Sequence, residues 1–188
     1  TSRSLWLDST PDGRLIVTSS PDGTAIVWEA TTMEALATFE YGDLFGADVA
    51  ISPDGQTVAV GLSSGEVELW DVESESLQQT LQGHTGQVFS VRFSPDGSLL
   101  ASTGIFGTTR LWDTSTWKQS RVLAGNGSSV FDVDFSPDGT TLVTAAQDGT
   151  IRFHTLDADI LIATARASVT RELTEAECAN YVPDGTCD

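Results

Sequence analysis

The sequence predicts an all-β protein built from four copies of one small antiparallel sheet. Three markers predict this, because each of them recurs at an interval of 42 residues. A Pro-Asp-Gly turn begins at Pro11, Pro53, Pro95 and Pro137. A second turn follows at Asp22-Gly23-Thr24, Ser64-Gly65-Glu66, Phe106-Gly107-Thr108 and Asp148-Gly149-Thr150. The residue at the end of the next apolar run is Trp28, Trp70, Trp112 or His154.

Each interval holds four short apolar runs, which is enough chain for a four-stranded meander. In the first copy we expect strands at residues 5–9, 15–19, 25–28 and 35–39. The four copies occupy about residues 4–39, 48–81, 88–123 and 130–156. A period of about 40 to 45 residues with four strands per unit is typical of a propeller blade. The predicted fold is therefore a β-propeller with four blades, the last of them incomplete.

The first strand of the third and fourth copies predicts a β-bulge. Its apolar residues are Val88, Val91 and Phe93 in one copy and Val130, Val133 and Phe135 in the other. A flat strand alternates with a period of two, so a step of three followed by two requires one extra residue. We place the bulges at Phe89-Ser90 and Phe131-Asp132, and expect them to turn these side chains toward the rim of the central channel.

The chain beyond the fourth copy has a helical pattern. No turn introduces a fourth strand after residue 156, and Asp157 is a suitable N-cap for a helix over residues 158–167. Thr174 and Glu177 form a capping box for a second helix over residues 175–181. We therefore divide the chain into a propeller part, 1–156, and a helical tail, 157–188.

The tail also contains the two cysteines of the chain, Cys178 and Cys187. A Pro-Asp-Gly turn at 183–185 could bring them together. A disulfide would require suitable geometry and an oxidising compartment, so a disulfide and two free thiols both stay open.

Several of these motifs resemble the WD-repeat (Trp-Asp repeat) β-propeller family. The resemblance covers about residues 4 to 156 and rests on the Ser-Pro-Asp-Gly turns together with Gly83-His84, Trp70-Asp71 and Trp112-Asp113. Blades of that family often carry a hydrogen-bonded set of four residues: a His before the inner strand, a Ser or Thr on the second strand, an Asp in the next turn, and the Trp. Tail residues 170–174, 177, 178, 181 and 187 resemble the tail that follows such propellers in large bacterial signalling proteins of the STAND ATPase type.

The resemblance implies a structural network whose members can be located in this chain. They are Thr18, Asp22 and Trp28 in the first blade, Trp70 in the second, His84, Ser102 and Trp112 in the third, and Thr144 and Asp148 in the fourth. No blade has the whole set. In the second blade the other positions hold Gly42, Val60 and Ser64, in the third Phe106 replaces the Asp, and in the fourth Asn126 and His154 occupy the outer positions. We therefore expect the blades to be held mainly by packing.

The charge of the chain excludes several classes of partner. It has 27 acidic and 9 basic side chains, a net charge of -18, which repels phosphate backbones and anionic lipid headgroups. No apolar run approaches the length needed to cross a bilayer. We expect no nucleic-acid partner, no membrane partner and a cytoplasmic location.

The titratable residues do not form a recognisable catalytic or metal site. Both histidines, His84 and His154, have structural places in the repeat, and the cysteines and histidines lack zinc spacing. The repeated aspartates Asp12, Asp54, Asp96 and Asp138 are explained by turn geometry. No glycine loop for phosphate is present. We expect no catalytic residue, no metal and no cofactor.

The remaining function is the binding of a partner through a surface. Acidic and aromatic residues near the inner-strand bulges are candidates for a partner patch on one face of the channel: Phe89, Phe131, Asp132, Trp6 and Asp48. The alternative, that Phe89 and Phe131 only fill the inner wall, stays open.

Four blades with an unfinished last one leave a bare sheet face at each end. We expect further blades from an upstream segment, a partner chain or a second copy of this chain. The predicted function is a non-catalytic protein-interaction module, a scaffold, sensor or autoinhibitory domain in the C-terminal part of a larger bacterial signalling protein. The alternative is a small-ligand-binding or enzymatic propeller whose site needs blades that this chain lacks.

Overall fold

The computed structural model describes residues 6–42, 48–123 and 127–157. Within them every sheet is an antiparallel meander. Blade 1 contains β1 (Trp6–Ser9), β2 (Leu15–Ser20), β3 (Thr24–Glu29) and β4 (Ala35–Glu40). Blade 2 contains β5 (Asp48–Ile51), β6 (Thr57–Gly61), β7 (Val67–Asp71) and β8 (Ser76–Leu81). The predicted all-β fold is confirmed.

The two later blades repeat the same order. Blade 3 contains β9 (Val88–Phe93), β10 (Leu99–Gly104), β11 (Thr109–Asp113) and β12 (Lys118–Leu123). Blade 4 contains β13 (Val130–Phe135), β14 (Thr141–Ala146) and β15 (Ile151–Thr155), so three strands lie within the described residues. The two predicted helices, Cys178 and Cys187 lie outside the described residues. No helix in the described part of the chain is long and apolar enough to span a membrane.

The Pro-Asp-Gly turns are held by the same hydrogen bonds in all four blades. The Asp carboxylate accepts a hydrogen bond from the hydroxyl two residues earlier, over 2.5 to 2.6 Å. It also accepts the backbone N–H two residues later, at 3.0 Å. These bonds hold the pKa of Asp12, Asp96 and Asp138 below its usual value, with the hydroxyl bond contributing most. The recurrence of the aspartates is thus a consequence of turn geometry.

A second repeated turn joins the third and fourth strands of blades 1 to 3. Its central residue has a left-handed backbone although it carries a side chain: Met33 (φ 58°), Glu75 (φ 52°) and Trp117 (φ 54°). These residues are again 42 positions apart. The sequence gives no local signal for this conformation, because glycine or asparagine is the usual choice there.

Both predicted inner-strand bulges are confirmed. Ser90 pairs with Thr103 and Val88 with Gly104, which leaves Phe89 as the extra residue of β9. In β13, Asp132 pairs with Ala145 and Val130 with Ala146, so Phe131 is the extra residue. The third and fourth strands of blades 1 to 3 have further register shifts, which were not predicted, before Trp28, Trp70 and Trp112.

The core lies between blades. The first strands of successive blades lie side by side, β1 beside β5, β5 beside β9 and β9 beside β13. We call the face of a blade that packs on the next blade its trailing face, and the face that packs on the previous one its leading face. The trailing face of blade 1 packs Val17, Val27 and Phe39 against Val49, Val58 and Val60 of blade 2. Val67 and Leu69 of blade 2 pack in the same way against Val91, Leu100 and Trp112 of blade 3.

Candidate partner-binding site

The two bulges bring two aromatic rings together at one end of blades 3 and 4. The rings of Phe89 and Phe131 meet edge to face, with their centroids 5.0 Å apart and their planes at 75°. Phe131 is 48% exposed and Phe89 is half-buried. Because each ring belongs to the inserted residue of a bulge, the strand alternation does not direct it into the core between blades.

Asp132 directly follows Phe131 in sequence. It is exposed, and its Oδ1 atom accepts hydrogen bonds from Ser90 Oγ at 3.0 Å and from the backbone N–H of Val133 at 2.9 Å. The first bond joins blade 4 to blade 3 through the two residues that follow Phe89 and Phe131. We call Phe89, Phe131 and Asp132 the bulge patch.

Two further apolar residues lie at this end of the same blades. Ile105 and Phe106, in the turn between β10 and β11, are 37% and 66% exposed. The N–H of Ile105 bonds the carbonyl of Gln87 at 3.0 Å, and Ser129 Oγ donates to the carbonyl of Ile105 at 2.7 Å. The turn is thus fixed beside the segments that lead into β9 and β13. Sequence reasoning treated Phe106 only as a missing aspartate, although an aromatic residue in a turn was itself a signal.

The remaining two candidates occupy different environments. Trp6 is half-buried and packs against the core between blades 1 and 2. Asp48 is only 3% exposed. Its Oδ2 atom accepts the backbone N–H of Val91 at 2.9 Å and pairs with Arg92 Nη1 at 2.8 Å. This corrects our expectation for Asp48: burial removes it from the surface, and the carboxylate joins blade 2 to blade 3.

Three carboxylates surround the Arg92 guanidinium at this junction. Burial opposes its positive charge, but the carboxylates of Asp48, Asp8 and Asp132 outweigh that effect and raise the pKa of Arg92. For Asp48, burial is the largest effect and raises the pKa of the carboxyl group. Its Oδ1 atom has no hydrogen-bond partner among the described residues. Arg92 therefore stays a cation and offsets part of the acidic charge near Asp132.

The structural network is most complete in blade 3. Ser102, which is fully buried, accepts a hydrogen bond from the Trp112 indole N–H at 2.9 Å. Its Oγ atom also lies 2.8 Å from Nε2 of His84. The other ring nitrogen, Nδ1, lies 3.3 Å from Thr108 Oγ1, so Thr108 occupies the place that the family gives to Asp. Burial, and then the charge of Arg110, lower the pKa of His84 to about 4.

The other blades keep only parts of this network. Trp28 donates to Thr18 Oγ1 at 2.9 Å, and His154 Nε2 lies 3.2 Å from Thr144 Oγ1. In blade 2 the indole of Trp70 donates instead to the Glu68 carboxylate at 3.1 Å, which sequence reasoning missed. Asp22 and Asp148 each accept hydrogen bonds from the threonine two residues later. Asn126 lies outside the described residues.

His84 Nε2 and Ser102 Oγ are as far apart as a catalytic base and its nucleophile, but Ser102 is not accessible to a substrate. Ser102 is inaccessible, and its oxygen is already bonded to the Trp112 indole. A reacting group could not reach it without unfolding the blade. The described residues contain no group of three or more side chains suited to hold a metal ion.

The successive antiparallel meanders and their inter-blade cores define a repeat protein of the propeller class. A family model for the WD domain, G-beta repeat, matches residues 4–29, 47–71, 75–113 and 117–155. The chain therefore belongs to the WD-repeat family. Propellers of this family are in general protein-interaction modules, and this is the broad function of the chain. Among curated proteins, none matches the chain.

Proposed function

We propose that this chain is a non-catalytic interaction module that captures a protein partner through the bulge patch. One observation supports this most directly: an exposed aromatic ring packs edge to face on a second ring, and the next residue in sequence carries a hydrogen-bonded carboxylate. Rigid aromatic side chains lose little conformational entropy on binding and are common among residues that dominate interfaces. Ile105 and Phe106 extend the apolar surface at the same end of the blades.

The chemistry of the patch favours one kind of partner. Asp132 is exposed, and the whole chain carries a net charge of -18. A segment with an apolar side chain next to Lys or Arg would pack on the rings, and its cation would lie near the carboxylate. The attraction should weaken as salt is added, because the partner charge lies on an exposed surface.

We also propose that this module belongs to a larger protein. We infer that the module acts as a scaffold, sensor or autoinhibitory domain of a larger bacterial signalling protein in the cytoplasm, with residues 157–188 as a helical tail. The resemblance of that tail to those of STAND-type proteins supports this. Further blades from an upstream segment, a partner chain or a second copy complete the propeller, since the outward faces of blades 1 and 4 expose apolar side chains.

A displayed peptide library tests the partner-binding site. Peptides would be selected on the chain, and their affinities measured by fluorescence anisotropy. We expect basic and aromatic or aliphatic sequences, and we expect Phe131→Ala to weaken them at least about tenfold, the effect of a central interface residue. Leu77→Ala is the matched control, because Leu77 is 45% exposed but lies on β8 of blade 2. Equal losses in both variants, or none in Phe131→Ala, would contradict the proposed site.

A further inference from the structure

The trailing face of blade 4 exposes two residues whose counterparts are buried in every other blade. Ile151 is 64% exposed and Phe153 is 74% exposed. The residues at the same positions in blades 1 to 3 are at most 2% exposed, because the next blade covers them: Ala25 and Val27, Val67 and Leu69, and Thr109 and Leu111. Blade 4 thus retains the apolar side chains of a blade junction.

The leading face of blade 1 shows the complementary exposure. Leu7 is 67% exposed, whereas its counterparts Val49, Val91 and Val133 are at most 1% exposed. Ile16, on the same face, is half-buried, whereas its counterparts Val58, Leu100 and Leu142 are fully buried. The described chain therefore presents both halves of one apolar junction, one on blade 1 and one on blade 4.

The inner strands carry the polar part of the same junction. Asp8 of blade 1 accepts the backbone N–H of Ile51 of blade 2 at 3.0 Å. Asp134 occupies the position of Asp8 in blade 4, 126 residues later, and is exposed. The residue of blade 1 that corresponds to Ile51 is Ser9. The equivalent hydrogen bond would run from the N–H of Ser9 in one molecule to Asp134 in another.

We propose that a second copy of this chain covers both faces, with the trailing face of each blade 4 packed on the leading face of the other blade 1. The two identical junctions are related by a twofold axis and close a ring of eight blades. This inference depends on the completion of the propeller proposed above and not on the bulge patch. Each copy lacks what the other supplies, so one kind of contact satisfies all four bare faces.

The area of these faces suits a stable dimer. The face of blade 1 has four strands of four to six residues and measures about 19 Å by 17 Å, or roughly 320 Å². The three described strands of blade 4 give a face of about 14 Å by 17 Å, or roughly 240 Å². Two junctions, each made of one face of either kind, bury about 1,100 Å², which exceeds the roughly 1,000 Å² that a specific interface requires. The side chains at the junctions are mostly apolar, but the net charge of -18 opposes association. Added salt should therefore strengthen the dimer, in contrast to peptide binding at the bulge patch.

Sedimentation of the 188-residue chain at micromolar concentration tests the proposal. We expect a species of twice the 19.9 kDa chain mass. Phe153→Asp and Leu7→Asp should each weaken the dimer at least about tenfold, because each places a charge in both junctions. Met33→Asp is the matched control: Met33 is 61% exposed but lies in the turn between β3 and β4, and aspartate tolerates its backbone.

Mixing the two weakened variants identifies the arrangement. A pair made of one Phe153→Asp chain and one Leu7→Asp chain has one intact junction and one doubly altered junction. We therefore expect the mixture to associate more tightly than either variant alone. If Phe153→Asp abolishes the dimer but Leu7→Asp does not, the contact joins two trailing faces and the head-to-tail ring is wrong.

Other outcomes are equally decisive. A monomer at micromolar concentration overturns the proposal, whether the faces stay open or residues 158–188 fold onto one of them. Circular dichroism checks that each variant is folded, and Ile151→Asp replaces Phe153→Asp if the latter loses its native spectrum. Peptide binding at Phe131 is measured on the same samples. A monomer that still binds peptide contradicts only the dimer, and a dimer that binds no selected peptide contradicts only the bulge patch.

Discussion

Acidification should destabilise the protein through His84, whose imidazole is buried in blade 3. The ring lies between Ser102 Oγ, 2.8 Å from Nε2, and Thr108 Oγ1, 3.3 Å from Nδ1. A neutral ring suits both partners, since one nitrogen accepts a hydrogen bond from the Ser102 hydroxyl and the other donates one to Thr108. Burial, followed by the nearby Arg110 charge, lowers the pKa of His84 from 6.5 to about 4.

The lowered pKa of His84 determines how stability changes with pH. Between pH 6.5 and about 4 the unfolded chain binds a proton at His84 that the folded chain does not bind. The contribution of the neutral ring to stability is therefore complete above pH 6.5 and decreases as the pH falls toward 4. A lowering of two to three pKa units corresponds to about 3 kcal/mol.

Urea unfolding of the wild type and of His84→Gln at neutral pH and near pH 4 measures this effect. The variant lacks the titrating group, whereas the turn carboxylates and His154 are present in both proteins and cancel in the comparison. We expect the stability advantage of the wild type to shrink by about 3 kcal/mol on acidification. Parallel pH profiles for the two proteins would refute the assignment of a buried neutral imidazole.

Two further substitutions test the blade junctions. Asp48→Ala leaves the partly buried Arg92 without its nearest carboxylate and should cost about 3 to 5 kcal/mol in the free energy of unfolding. Asp48→Asn keeps an acceptor and should cost less, so equal losses in thermal unfolding would argue against the junction role. Gly65→Ala (φ 95°) would place a methyl group 2.7 Å from the carbonyl oxygen of His84 and should cost more than Gly149→Ala, where φ is 81° and the added methyl group meets open space. Equal costs, measured by urea unfolding, would indicate that the contact relaxes.

The fold was predictable because its signals are local and repeated. The Pro-Asp-Gly turns fix the ends of strands by their own hydrogen bonds, so their spacing alone sets the blade period. The bulges at Phe89 and Phe131 followed from a single irregular step in the apolar pattern. In both cases a few neighbouring residues determine the outcome.

The chemistry between blades was harder to predict. Asp48 is followed by apolar residues and precedes its partner Arg92 by 44 positions, so nothing near it in sequence indicates burial in a junction. Likewise Thr108 replaces the expected Asp beside His84, because a hydroxyl two residues beyond Phe106 reaches the ring. Such contacts depend on how two sheets pack, which local patterns do not specify.

The left-handed turn residues of blades 1 and 2, Met33 and Glu75, have a consequence for stability. A residue with a side chain costs about 1 kcal/mol or more in this conformation relative to glycine. The same backbone shape therefore recurs in these blades without the residue that favours it most. Glycine or asparagine at either position should raise the free energy of unfolding by about 1 kcal/mol.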